Sequence, residues 1–344
     1  MHMKKYKILE DLVGFNTIKD KQNKEIINYI ENILSGKDFK TEHKGKNLIM
    51  TYGKNPTLGF LGHTDTVEYI EGWDTNPFTL TEKNNKLYGL GACDMKAGIA
   101  AILEAIIETD LTKIKNGIKL YFTYDEERTF GGVRELIKKE KFPDFMIFGE
   151  PTYNEILIGC KGLLVCGVYF KGKKAHSSNP DKGISANLNA VRFLYELEQF
   201  YLMNIKNEIN TKYEVPYTTM NVGILNGGSA KNSIPAECYA TLDFRLIDTK
   251  HSKIILEKMD DLSGKYNCKY EIIEQIEPFI NDVDIKNNGK TANFMTEASF
   301  VNCKSKIILG AGPVTAHEIN EYIEKQSYDR LVMQYKELIA KKCL

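Results

Sequence analysis

Three short apolar runs in this chain each end in a side chain suited to hold a metal ion, and that pattern limits the folds open to it. Leu58-Gly59-Phe60-Leu61 runs into Gly62-His63-Thr64-Asp65-Thr66-Val67. Ile118 to Tyr124 runs into Asp125-Glu126-Glu127, and Phe145-Met146-Ile147-Phe148 into Gly149-Glu150-Pro151-Thr152. A fourth run, Ile307-Ile308-Leu309, precedes Ala316-His317-Glu318. Between the first two lies Gly91-Ala92-Cys93-Asp94-Met95-Lys96, where Asp94 opens an expected helix with apolar positions Met95, Ile99, Ile102, Leu103 and Ile106. Strand, motif, then helix is the order of an α/β sheet, whose sites gather at the carboxyl ends of strands. His63 and Asp65, two apart on an extended run, should point the same way. That suits a ligating imidazole whose second nitrogen is held by a carboxylate. Together these pieces supply the oxygen and nitrogen ligands that a two-metal hydrolytic site needs.

Each residue alone also has a plain structural reading. His63 can be a hydrogen-bonded core histidine, Asp94 a helix N-cap, Glu126 and Glu127 a solvated loop, Glu150 the start of a turn, and His317-Glu318 a surface pair. Their joint occurrence at strand-to-loop transitions in glycine-rich surroundings favours the site. Cys93 reads as packing.

Charge and cysteine usage exclude other classes. Lys plus Arg and Asp plus Glu number 46 each, so no global field attracts nucleic acid or an acidic membrane. The run Lys171-Gly172-Lys173-Lys174 reads as a solvated loop. The seven cysteines are scattered singly without CxxC pairs, as expected of reduced thiols in the cytoplasm. Met1-His2-Met3-Lys4-Lys5 lacks the apolar core of a signal peptide, and no run approaches the length of a membrane span.

At 344 residues the chain should hold one large or two ordinary domains. Residues from about Tyr6 to Ile33 carry helical spacing (Ile8, Leu12, Ile26, Ile27, Ile30). After Lys161 the pattern changes to strand (Leu163–Phe170), helix (Ile184–Met203), two strands (Thr218–Leu225, Ala236–Leu246), helix (Ile254–Leu262) and strand (Tyr270–Ile276). This is a compact α+β unit like a split βαβ motif, with ends close enough to be an insertion. The expected architecture is therefore an α/β domain with a mixed sheet flanked by helices, 1–160 and 277–344, interrupted by a ferredoxin-like insert, 161–276. Glu321 to Leu338 reads as the closing helix.

Over nearly its whole length the chain resembles the M20 family of metallopeptidases and deacylases, closest to its acetylornithine deacetylase branch. The branch-level likeness lies in His63-Thr64-Asp65-Thr66-Val67 through Trp73, Pro77 to Glu82 and Lys86 to Gly91. It continues in Val215-Pro216-Tyr217-Thr218 with Gly227-Gly228 and Asn232, and in Thr296-Glu297-Ala298-Ser299-Phe300 with Leu309-Gly310-Ala311-Gly312-Pro313.

The resemblance implies one ion held by His63 and Glu150, a second by Glu127 and His317, and Asp94 bridging them. It implies a pair of divalent ions about 3.5–4 Å apart that polarise the substrate carbonyl and acidify a shared water. Zinc suits the donors; cobalt or manganese fits the same mixed set. Asp65 would orient His63, Glu126 would be the general base, and a cis peptide would follow Asp94. The insert resembles the family's lid and dimerisation domain, with His176 of Ala175-His176-Ser177-Ser178 set to stabilise the oxyanion, within the chain or from a partner subunit. Arg245 suits a bidentate grip on a substrate α-carboxylate, or else an ion pair with Asp243. Asn232 would hold substrate or oxyanion, Thr296 and Glu297 would line the pocket, and Glu297 would meet a cationic side chain. Ala97 stands where many members carry glycine, and no expected ligand or base is missing.

The implied function is removal of the acetyl group from an N2-acyl amino acid, N2-acetyl-L-ornithine first, in arginine synthesis, by a cytoplasmic homodimer. A succinyl-diaminopimelate desuccinylase is the nearest rival. Dipeptidase and aminopeptidase branches tend to carry aspartate where Glu150 stands. A binding-only protein on this fold would not need Glu126.

Overall fold

A computed structural model of the chain describes residues 4–343. Ten strands build its two main sheets: β1 (Lys40–Lys44), β2 (Asn47–Tyr52), β3 (Leu58–His63), β4 (Ile118–Thr123), β5 (Phe145–Phe148), β6 (Gly162–Lys171), β7 (Thr219–Gly227), β8 (Glu237–Leu246), β9 (Cys268–Ile276) and β10 (Ser305–Ile308). Six longer helices accompany them: α1 (Lys7–Gly14), α2 (Asn23–Ile33), α3 (Ala97–Glu108), α4 (Ala186–Asn204), α5 (Thr249–Tyr266) and α6 (Lys325–Cys343). The chain forms two compact units. One comprises 1–158, 281–288 and 296–344, and the other 159–280 and 289–295.

The first unit is a mixed sheet in the order β1-β2-β4-β3-β5-β10. β4, β3, β5 and β10 run parallel, while β1 and β2 are an antiparallel hairpin joined to β4. β3 is buried at all six positions, as a central parallel strand must be. α1, α2, α3 and α6 share one apolar core with the sheet. α3 is buried at nine of its twelve residues, and each large aliphatic it buries contributes about 1.5–3 kcal/mol. Gly98 lets α3 approach the end of β5, since a Cβ there would stand 2.3 Å from the Gly149 carbonyl oxygen. Gly98→Ala would push that strand end, and Glu150 with it, out of place.

Three local expectations change. The helical stretch 6–33 is two helices, because residues 15–22 turn away, with Lys19 and Asp20 in the left-handed region. Asp94 does not cap α3. It lies in a wide turn, Ala92–Lys96, with extended φ/ψ, and α3 begins at Ala97 after Lys96. The peptide between Asp94 and Met95 is cis. The closing helix starts at Lys325; Tyr322–Glu324 instead form a short strand against Lys86–Tyr88.

The second unit runs β6-α4-β7-β8-α5-β9, and its antiparallel sheet has the order β7-β8-β6-β9. α4 and α5 cover one face, packing on Leu164, Cys166, Val168, Leu242 and Phe244. The alternation along β8, buried at Cys238, Ala240, Leu242, Phe244 and Leu246, leaves Asp243 and Arg245 on the helix-free face. Among the described residues, the seven cysteines stand outside any disulfide. Among the described residues, no helix is long and apolar enough to cross a membrane.

Candidate metal centre

The parallel strands deliver their side chains to one end of the first unit. His63 is the last residue of β3, level with Thr123 at the end of β4. Thr64 ties the two strand ends together, its N–H (2.9 Å) and hydroxyl (2.8 Å) both donating to the Thr123 carbonyl. Beyond β4 the chain turns at Asp125, whose φ of 57° is left-handed, and so presents Glu126 and Glu127. Glu150 follows β5, and His317 lies in the loop after β10.

His63 Nε2 lies 3.1 Å from Asp94 Oδ1 and 3.9 Å from Glu150 Oε2. On the other side of the same aspartate, His317 Nε2 lies 3.6 Å from Asp94 Oδ2 and 3.1 Å from Glu127 Oε2. Two triads thus share Asp94: His63, Asp94 and Glu150, and Asp94, Glu127 and His317, each with donor atoms within 4.8 Å of one another. Glu126 joins a third grouping with His63 and Glu127.

β3 ends before Asp65, so the period-two argument does not carry His63 and Asp65 onto one face. They meet through the turn. His63 Nδ1 lies 3.1 Å from the Asp65 main-chain carbonyl and 3.6 Å from its carboxylate. That carboxylate instead accepts the N–H groups of Glu126 and Glu127, each at 3.1 Å, and so fixes the turn that carries them.

The electrostatics of the cluster favour a cation. Burial pushes the Glu126 and Glu150 carboxyls well above the ordinary range, against His63, and the surrounding carboxylates push them further. Glu127 Oε1 is buried with no hydrogen-bond partner among the described residues, an acceptor that a bound ion would satisfy. Imidazole nitrogens and carboxylate oxygens around a shared carboxylate are the donors divalent metals take. Burial raises the Cys93 thiol, and the nearby Glu321 carboxylate adds to this. Its Sγ packs against the Pro313 carbonyl and the Thr315 N–H.

The remaining expected residues fall into two groups. Thr296 and Glu297 are buried in the first unit. Thr296 caps the short turn that follows it, and the Glu297 carboxylate accepts the Thr123 hydroxyl at 2.9 Å. Burial raises Glu297 to about 8, opposed by His63 and Thr123; its Oε1 has no partner. His176, Asn232 and Arg245 belong to the second unit. A small ribbon pairs Ala175-His176 with Ile234-Ser233, and Ser177 N–H donates to the Asn232 carbonyl at 3.0 Å, so His176 and Asn232 are neighbours. His176 Nδ1 lies 2.8 Å from Ser178 Oγ and 3.2 Å from the Ser178 main-chain nitrogen, which fixes the ring and leaves Nε2 pointing away from this turn. Arg245 grips Asp243 through two parallel bonds, 2.9 and 3.1 Å, the ion-pair alternative noted above.

One residue escaped sequence reasoning. Glu321, taken for the start of a helix, is a buried carboxylate that accepts N–H groups from Gly91, Cys93 and Asp94. Its only sequence signal is its place four residues after His317.

The chain is similar to known proteins. Acetylornithine deacetylase of Pasteurella multocida is 32% identical over 94% of this chain and 92% of its own length. That of Photorhabdus laumondii is 34% identical over 89% and 87%. Among solved structures, a tripeptidase from Staphylococcus aureus superposes with a TM-score of 0.77 at 24% identity, covering 96% of each chain. An M20 family metallo-carboxypeptidase from Sulfolobus solfataricus gives 0.77 at 20%, covering 98% of this chain and 99% of that one. These two show the shared fold. The sequence model of peptidase family M20/M25/M40 matches residues 59–341. With that match spanning most of the chain and all of the segments that bring the clustered His, Asp and Glu side chains together, the chain belongs to peptidase family M20/M25/M40 and is one of its metal-dependent hydrolases.

Proposed function

We propose that the chain is an N2-acetyl-L-ornithine deacetylase that uses two divalent ions, zinc first, with cobalt or manganese fitting the same donors. The observation that carries the two-metal reading is Asp94, whose two carboxylate oxygens face His63 and His317 separately. The substrate rests on the names of the similar proteins. His63 and Glu150 would hold one ion, Glu127 and His317 the other, with Asp94 between them. When bound, such a pair supplies Lewis acidity to the amide carbonyl and to the attacking water.

The rest is done by the chain. Glu126 takes the proton of the water as its oxygen bonds to the acetyl carbon. Glu126 then returns the proton to the departing nitrogen as the C–N bond breaks, giving acetate and ornithine. The Asp65 carboxylate keeps Glu126 and Glu127 in place through their N–H groups. In this reading His176 donates its Nε2 proton to the carbonyl oxygen as charge develops there, with Asn232 beside it. Arg245, held by Asp243, offers its remaining N–H groups to the α-carboxylate, while Thr296 and Glu297 line the pocket, with Glu297 facing the substrate's side-chain ammonium.

The second unit, whose order β-α-β-β-α-β and sheet order β7-β8-β6-β9 match a ferredoxin-like split βαβ motif, would serve as lid and dimerisation domain. β7 is an edge strand exposing Val222, Ile224 and Leu225, and α4 exposes Leu188, Val191 and Tyr195. Val191, Tyr195 and Val222 line one groove of about 390 Å³. An apolar edge of this kind is covered in most proteins, and a second copy would cover it here. We assign the enzyme to the cytoplasm, where seven unpaired thiols stay reduced.

The deciding experiment compares turnover of N2-acetylornithine and N-succinyl-diaminopimelate by zinc- or cobalt-loaded protein. A preference for acetylornithine of about a hundredfold, roughly 2.7 kcal/mol, supports the assignment. Activity on the succinyl compound alone, or on dipeptides alone, would overturn the substrate and leave the metal centre standing.

A further inference from the structure

Glu321 takes no part in the chemistry just described, yet it is 2% exposed and makes three hydrogen bonds to main chain. Its Oε2 accepts the Gly91 N–H at 2.8 Å, and its Oε1 accepts those of Cys93 at 2.7 Å and Asp94 at 3.0 Å. The wide turn Ala92–Lys96 runs through Asp94 and Met95 with non-helical φ/ψ. The N–H groups of residues 91, 93 and 94 therefore need an acceptor from elsewhere, and one carboxylate serves all three. Anionic acceptors make shorter and stronger bonds than neutral ones.

Glu321 also closes the loop that carries His317. The Thr315 hydroxyl donates to the Tyr322 carbonyl at 2.7 Å, and Tyr322 N–H donates back to the same oxygen at 3.0 Å. Thr315 N–H and the Pro313 carbonyl both meet Cys93 Sγ. The His317 ring therefore hangs on a loop whose base is fastened to the segment bearing Asp94. Glu321 is the charged group in that fastening.

We infer that Glu321 is a positioning residue that sets the spacing between Asp94 and His317, and so prepares the position that these two share with Glu127 for its divalent ion. The inference rests on the two-metal reading proposed above. Glutamine has one accepting oxygen in place of two, and its amide NH2 would face an N–H donor of the turn. Glu321→Gln should therefore loosen the turn and the His317 loop together, while His63 and Glu150 keep their places on β3 and β5.

The test is titration of the metal-free protein with Co2+, followed by calorimetry and by the visible absorption of the bound ion. The wild-type chain should take up two equivalents. Glu321→Gln should bind one equivalent as wild type does and the other about 10–100-fold more weakly, with an altered absorption band for that ion. In the loaded enzyme kcat should fall and KM stay within about threefold. Glu321→Asp keeps the charge with a shorter reach and should fold with an intermediate loss, which covers the case of a glutamine variant that does not fold. Two equivalents bound with wild-type affinity and an unchanged band in either folded variant would overturn the inference alone. Fewer than two equivalents bound by the wild-type chain would overturn the two-metal reading and the inference with it.

Discussion

The two imidazoles that flank Asp94 live in different surroundings. The His63 side chain is 1% exposed, stands at the end of a fully buried central strand, and faces Glu150 at the end of another. The His317 side chain is 56% exposed and sits in a loop, at a left-handed φ of 64°. One end is set by sheet register, which is costly to change. The other is set by a loop held at its base. Charges at the buried end interact through low dielectric and are little screened, while the open end meets water and salt. The lesson is that one carboxylate can join a rigid, sealed half of a candidate metal centre to an open half set on a loop.

Replacing each histidine tests this contrast. His63→Ala is expected to have the largest effect: activity falls by about 10^4-fold or more. The metal-free protein also loses roughly 2–4 kcal/mol of stability in urea denaturation, because a buried ring is removed from between two carboxylates. His317→Ala should remove one bound metal equivalent and most activity, yet leave metal-free stability within about 1 kcal/mol of wild type. Equal destabilisation by the two changes would break the comparison.

Glu126→Gln separates chemistry from both ends. Turnover is expected to drop by about 10^3-fold, with metal content by atomic absorption and thermal midpoint unchanged. Loss of metal alongside activity would instead make Glu126 a ligand.

The smallest effect concerns an ionic cluster that is closed by protein cations. The Glu140 side chain is 4% exposed and accepts from Lys119, from Lys44 at 2.6 Å and from the Tyr121 hydroxyl at 3.2 Å. Burial pushes its carboxyl up, but Lys119 and Lys44 outweigh that and hold it below the ordinary value. A depressed carboxyl contributes stability that is present above the unfolded value, near 4.3. That contribution is lost as pH falls through the lower folded value. Glu140→Gln should cost about 2 kcal/mol at pH 7 and progressively less as pH falls below the ordinary carboxyl range, read from urea midpoints across that range. A cost independent of pH would show that packing, not charge, is what Glu140 supplies.

Much of the site was legible because each ligand is announced locally. An apolar strand ending in His63, in Glu126-Glu127 or in Glu150 is readable one run at a time, and the parallel order of β4, β3, β5 and β10 does the gathering. What could not be read depends on contacts distant in the chain. Asp94 carries two readings in the sequence, a bridging carboxylate and the cap of an apolar helix; the turn that delays α3 to Ala97, and so sets the cap aside, has no local signal. Glu321 resembled the first residue of a helix, and its three partners lie on a segment far earlier in the sequence. Asp243 and Arg245, two apart on β8, face the same side, and their pairing was one of two readings that period alone could not separate.

The interrupted path of the chain bears on how the protein is made. Ile308 pairs with Phe148 in the first sheet, so β10 can close that sheet only after all of the second unit has been synthesised. The second unit has a core of its own and brings its ends together, Gly159 pairing with Ile280. If it folds as it emerges, the stretch to be closed between β5 and β10 shrinks to a short connection, and the entropy of closing a long loop, which grows with its length, is largely removed. Of the clustered side chains, His317 then arrives last, after the strands of both main sheets have been made.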